Sequence, residues 1–139
     1  LDLGSNPIGP PVATALAHAL LSGSCHHLQA LELDDAFSEP GASLRVLQGI
    51  QQGGRGAVPN LLWLDVTDNH MDLKHGRVLG EAIGGRLLPK LEELELSCNW
   101  SLGEGGVVAI MAGLEGGGCR HLKELVIGRV KMGPQGATP

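Results

Sequence analysis

The sequence predicts an α/β solenoid, one repetitive domain in which strands and helices alternate. Two observations carry that expectation. The spacing Leu-x-x-Leu-x-(Leu/Val/Ile) recurs at Leu28/Leu31/Leu33, Leu61/Leu64/Val66, Leu91/Leu94/Leu96 and Leu122/Leu125/Ile127, with first leucines 33, 30 and 31 residues apart. Behind each copy the apolar period lengthens from two residues to about 3.6, the change from strand to helix. A fixed period of this length is the mark of a stacked repeat, in which each unit buries its faces only against its neighbours.

Taken in order, the units span residues 1–27, 28–60, 61–90, 91–121 and 122–139, the first and last incomplete. Leu1 and Leu3 supply the first strand motif without its start, and Val12, Leu16, Ala19 and Leu20 share a helical face behind it. Leu44, Leu47 and Ile50 form that face in the second unit. Val78, Leu79, Ala82 and Ile83 form it in the third, and Val107, Ile110, Met111 and Leu114 in the fourth. Glycine and proline punctuate each return to the next strand: 53–59, Gly84-Gly85 with Pro89, and 116–118. The fifth unit lacks a helix. Neither outer unit carries a polar cap, so the sequence reads as a stretch of a longer array.

Composition narrows the function classes. At 139 residues and 42% hydrophobic, the chain can build one aliphatic core, and its 2% aromatic content makes each Trp informative. A net charge of −5 argues against nucleic acid, which needs clustered Lys and Arg. No apolar run reaches the roughly 20 residues of a membrane span. An Asn stands three residues after the last apolar strand position in three copies, as Asn6, Asn69 and Asn99; Ala36 and Val130 replace it in the others.

These units resemble the leucine-rich repeats of the ribonuclease-inhibitor-like type, in which each strand is paired with a full helix. Leu94-Glu95-Leu96-Ser97-Cys98-Asn99, followed by 103–114, is the closest match, and the likeness covers essentially the whole chain. The resemblance implies a horseshoe arc, with parallel strands on the concave face and helices on the convex face, and a protein-binding role. It also implies that Asn6, Asn69 and Asn99 turn inward and tie neighbouring units together through backbone hydrogen bonds. Two further readings come with the repeat type: a regulator of a small GTPase, similar to the Ran GTPase-activating proteins, and the sensor array of a nucleotide-binding immune-type receptor.

The chain offers no chemistry of its own. It has no GxxxxGK[ST], no nucleophile elbow and no HExxH, so no catalytic residue and no cofactor are expected. Cys25-His26-His27 and Cys119-Arg120-His121 lack the paired spacing of a zinc site. Cys25 and Cys119 stand three units apart, at least about 14 Å at the usual strand spacing, whereas a disulfide needs Cα atoms within about 7 Å. Three free thiols suit a reducing compartment, and the expectation is an intracellular, cytoplasmic protein.

The informative surface is the concave one. If the strand leucines point inward, alternation turns fourteen neighbours outward, from Asp2 and Gly4 to Val126 and Gly128. Seven are acidic and none is basic: Asp2, Glu32, Asp34, Asp65, Glu93, Glu95 and Glu124. Asp2, Glu32, Asp65 and Glu95 form one continuous row, with Trp63 exposed among the acids as an anchor. The expected partner is therefore a protein with a basic surface, held through these seven acids and Trp63.

Overall fold

The computed structural model describes residues 1–131; the rest of the last unit lies outside the described residues. Among these, four parallel strands and four α-helices alternate: α1 (Pro10–Leu21), β1 (Ala30–Glu32), α2 (Pro40–Gly53), β2 (Trp63–Asp65), α3 (Leu73–Gly84), β3 (Glu93–Glu95), α4 (Gly103–Glu115) and β4 (Glu124–Val126). Strand order follows chain order, β1-β2-β3-β4. Leu31, Leu64, Leu94 and Leu125 face one another across consecutive strands. A parallel ladder in this register stacks the motif leucines on one another; Leu31, Leu64 and Leu94 are fully buried, and Leu125 on the last strand is half-buried. The first unit extends the ladder: Glu32 N–H donates to the Leu1 carbonyl at 2.8 Å and Leu3 N–H to the Glu32 carbonyl at 2.9 Å.

Each strand leaves the sheet through the same unusual conformation. Ser5, Asp35, Asp68, Cys98 and Arg129 each lie two residues past the last apolar strand position, with φ of 58°, 47°, 56°, 61° and 57°. None is glycine, so the stack imposes a left-handed conformation that side chains ordinarily avoid. The next residue is the repeated Asn where it is present. Asn99 Oδ1 accepts from the Asn69 and Met71 N–H groups at 2.9 and 3.1 Å, and its Nδ2 donates to the Val66 and Leu96 carbonyls at 3.0 and 2.8 Å. Asn69 binds the unit before it likewise, accepting from Ala36 and Phe37 N–H and donating to the Leu33 carbonyl. Both amides are fully buried and cross-link adjacent units where the backbone cannot pair with itself.

Asn6 departs from that expectation. It is exposed, and its Nδ2 bonds only the Leu3 and Gly4 carbonyls of its own unit. Where Ala36 and Val130 replace the Asn, the backbone substitutes: Ile8 N–H donates to the Ala36 carbonyl at 2.7 Å and Gly103 N–H to the Val130 carbonyl at 3.0 Å.

The helices lie against one face of the sheet, and two helical faces differ from the sequence expectation. In α1 the buried residues are Ala13, Ala17 and Leu20, while Val12 is exposed. In α4 they are Gly106, Val107, Ile110 and Gly113, and Met111 is exposed. The cause is close helix packing. A Cβ on Gly49 would stand 3.0 Å from the Ala17 backbone, and one on Gly76 would stand 2.6 Å from the Gly106 Cα. Glycine and alanine, which carry little hydrophobic signal, therefore mark the buried face and rotate it away from the larger apolar residues.

Candidate functional site: the open strand face

The strands read half-buried, buried, half-buried in β1, β2 and β3, so the residues flanking each leucine look away from the helices. Two side-chain rows cross that open face. Asp2, Glu32, Asp65, Glu95 and Val126 are successive register partners, and so are Ala30, Trp63, Glu93 and Glu124. The structure thus brings seven of the eight sequence-predicted residues together on four neighbouring strands and the leading bridge. Asp34 lies beyond the end of β1, against the backbone of Gly4.

Local bonds occupy some of the acids. Asp2 Oδ1 accepts from Gly4 N–H at 2.9 Å and Asp65 Oδ1 from Thr67 N–H at 3.0 Å, so these shorter carboxylates brace their own strand ends. Glu95 reaches farther. Its Oε2 accepts from the Trp63 indole N–H at 3.3 Å, across the β2–β3 pair. Trp63 is consequently half-buried rather than exposed, because its indole is drawn over the sheet toward that carboxylate.

The Glu95 carboxyl is held above its ordinary value of 4.5 by partial burial, with the neighbouring Asp65 and Glu124 adding to the rise and the Trp63 bond opposing it. A like charge about 5 Å away on an adjacent strand disfavours the ionised form of a carboxyl in this way. Among the described residues the ion pairs are Asp72–His75 and Glu92–Lys123, so no Lys or Arg neutralises either row. In front of Trp63 lies a shallow cavity of about 240 Å³, lined by Gln29, Ala30, Leu62, Trp63, Glu92 and Glu93.

A second polar cluster has the outline of a catalytic relay. His75 Nδ1 stands 2.8 Å from Asp72 Oδ1, and His75 Nε2 stands 2.7 Å from Ser43 Oγ. Its chemistry runs the other way. The Ser43 hydroxyl has one proton, and carbonyls of Pro40 and Asn69 await it at 3.1 and 3.2 Å. His75 Nε2 is also 3.0 Å from the Pro40 carbonyl, so it must carry a proton and cannot act as a base toward Ser43. Ser43 and His75 are 3% and 1% exposed, which leaves a substrate no approach. The cluster joins α2 to α3.

Asp72 caps α3: its carboxylate accepts from the Lys74 and His75 backbone N–H groups and from His75 Nδ1, which also lies 3.1 Å from the Asp72 backbone nitrogen. Burial alone would raise the Asp72 carboxyl; hydrogen bonds and charge from His75 outweigh it and hold the group below 3.8. Sequence reasoning missed this cluster because its members come from different units. Only the spacing of Asp72 and His75, three residues apart at a helix start, hinted at a capping box.

The remaining candidates stay structural. All three cysteines are free, and burial pushes the Cys119 thiol up to about 11, with Sγ against the Leu88 carbonyl at 3.6 Å. Among the described residues no three His, Cys, Asp or Glu side chains gather as metal ligands, and no helix is long and apolar enough to cross a membrane.

The family comparison agrees with the repeat geometry. A family model described as a leucine-rich repeat matches residues 88–111, which run from the turn before β3 into α4. That match supports a leucine-rich repeat protein, and four parallel strands alternating with four helices among the described residues are compatible with it. Such repeats generally mediate protein–protein interaction and are typically not enzymes. Comparison with the curated proteins returns no match.

Proposed function

We propose that this chain is a non-enzymatic protein-binding module of the ribonuclease-inhibitor-like type, an arc whose open strand face receives the basic surface of a protein partner inside the cell. One observation carries the reading. Asp2, Glu32, Asp65 and Glu95 stand side by side in register, and among the described residues no Lys or Arg is paired to them. Keeping like charges adjacent costs a few tenths of a kcal/mol per neighbour, and an incoming cationic surface relieves that cost while the field steers its approach. Partner residues on this reading are Asp2, Glu32, Asp34, Trp63, Asp65, Glu93, Glu95 and Glu124.

The test is affinity capture from lysate with wild-type protein, an Asp65→Lys/Glu95→Lys double variant, and Glu115→Lys, a charge reversal on the exposed end of α4. Partners should be lost with the strand-face variant, retained with the helix variant, and released progressively as salt rises. Partners that survive the strand-face reversals and vanish with Glu115→Lys would move the binding surface to the helices.

A further inference from the structure

The open face is not uniformly acidic: at the start of β2 it becomes an aromatic-walled cavity. We propose that the cavity before Trp63 is a binding pocket for a single arginine side chain of the partner. The proposal rests on the reading of the open face as a protein-binding surface, and names the group that would anchor there.

The argument begins with the indole. Trp63 N–H is held by Glu95 Oε2 at 3.3 Å, which fixes the ring before any ligand arrives. A pre-oriented aromatic wall loses little freedom on binding. The same bond places a carboxylate at the indole N–H, so the indole is polarised by a negative group at one edge and its face is a favourable seat for a cation.

Beside Trp63 the cavity is lined by Gln29, Ala30, Leu62, Glu92 and Glu93, with Ala30 and Glu93 the register partners of Trp63 on its two neighbouring strands. Glu92 is paired with Lys123 at 3.4 Å, whereas Glu93 has no ion-pair partner among the described residues. The pocket therefore offers an aromatic side chain, the apolar Ala30 and Leu62, and the Glu93 carboxylate. A guanidinium suits all three: its plane can stack on the indole, its edge can donate to Glu93, and its methylene stem can pack on Ala30 and Leu62. An ammonium matches the charge but cannot stack as a plane, so Arg is favoured over Lys.

Three short peptides can be titrated into the full chain carrying Trp100→Phe, in which Trp63 is the only indole: acetyl-Gly-Arg-Gly-amide, its Lys counterpart and its neutral citrulline counterpart. The readout is the Trp63 indole N–H resonance. The Arg peptide should shift it saturably, the Lys peptide should bind about tenfold more weakly, and the citrulline peptide should leave it unmoved. Glu93→Gln should weaken the Arg peptide about tenfold. Trp63→Leu, followed through the backbone amide of Leu94, should abolish saturation, and an otherwise unchanged amide spectrum shows that the fold is intact.

An indole resonance indifferent to the Arg peptide overturns the pocket. So does equal binding of the Arg and Lys peptides, because it reduces the site to charge alone. Either result leaves the wider strand-face reading standing if captured partners still depend on Asp65 and Glu95. Conversely, a saturable Arg response with capture unaffected by the strand-face double variant, which removes the Glu95 acceptor of Trp63, would overturn both the wider surface and the role of this pocket as the partner's anchor.

Discussion

Helix α3 meets its two neighbours by opposite means. Toward α4 it presents glycine: a Cβ on Gly80 would collide with the Ala109 carbonyl, and one on Gly113 would collide with the Gly80 carbonyl. Backbone packs on backbone, and the gain is dispersion at a distance only glycine permits. Toward α2 it presents polar side chains, with His75 bonded to Ser43 and the Pro40 carbonyl, and Glu81 to Gln51. One seam is closed by the absence of side chains and the other by side chains that fit a single hydrogen-bonding pattern. A repeat therefore specifies where neighbouring helices meet without specifying how.

The comparison can be broken most severely on the glycine side. Gly80→Ala should destabilise the chain by about 2 kcal/mol, since overpacking costs about 1–3 kcal/mol and alanine's better helix propensity returns at most about 1 kcal/mol. Urea denaturation measures it. Stability equal to or above wild type would mean that the helices separate freely and the close approach is incidental.

On the polar side, His75→Leu should cost about 1–3 kcal/mol, because it leaves the buried Ser43 hydroxyl and the Pro40 carbonyl without their imidazole donor. Ser43→Ala alone should cost less, and the double variant should cost clearly less than the two singles together. Strict additivity in that cycle would show that the two side chains do not act as a unit.

Asp72→Ala should cost about 1 kcal/mol near neutral pH, the usual value of a lost helix cap. Asp72 is held below its ordinary 3.8 in the folded state. Its contribution is therefore present above that value and is lost as pH falls through the lower folded value. Stability of wild type and variant, compared by denaturation at neutral pH and below pH 3.8, should converge at the acidic end. A difference that persists there would assign the effect to something other than the carboxylate.

The smallest effect has the opposite sign and lies on the strand face. Glu95→Gln keeps an acceptor for the Trp63 indole while removing a charge from the row, and should stabilise the isolated chain by a few tenths of a kcal/mol at neutral pH. Glu95 is held above its ordinary 4.5 when folded. The folded state binds its proton more tightly, so the stabilising contribution of protonation is complete below 4.5 and is lost as pH rises through the folded value. The gain from Gln should accordingly fade on acidification, and thermal melts at neutral and acidic pH check it. A loss of stability at neutral pH would mean that the charge on Glu95 supports the sheet instead of straining it.

By itself the sequence determined the strand positions, their order and the outward rows. Those follow from one rule applied repeatedly: a leucine at a fixed spacing must be buried, so its neighbours in the strand must look the other way. The position of Asn69 and Asn99 in the repeat was legible too, but their inward, unit-linking role came from the resemblance to the repeat family and not from alternation. What depends on two units at once was settled only by the tertiary structure. Helix contacts at Gly49, Gly76, Gly80 and Gly113 carry no hydrophobic pattern, so Val12 and Met111 lie exposed where the apolar period alone puts them on buried faces. The left-handed turns fall on Ser5, Asp35, Asp68, Cys98 and Arg129, side chains with no common chemistry, because the stack and not the residue sets that conformation. Trp63 could be assigned to the open face from alternation, but its half-buried pose depends on Glu95, 32 positions away in the chain. A distance of that kind is decided by how the next strand lands, and only packing decides it.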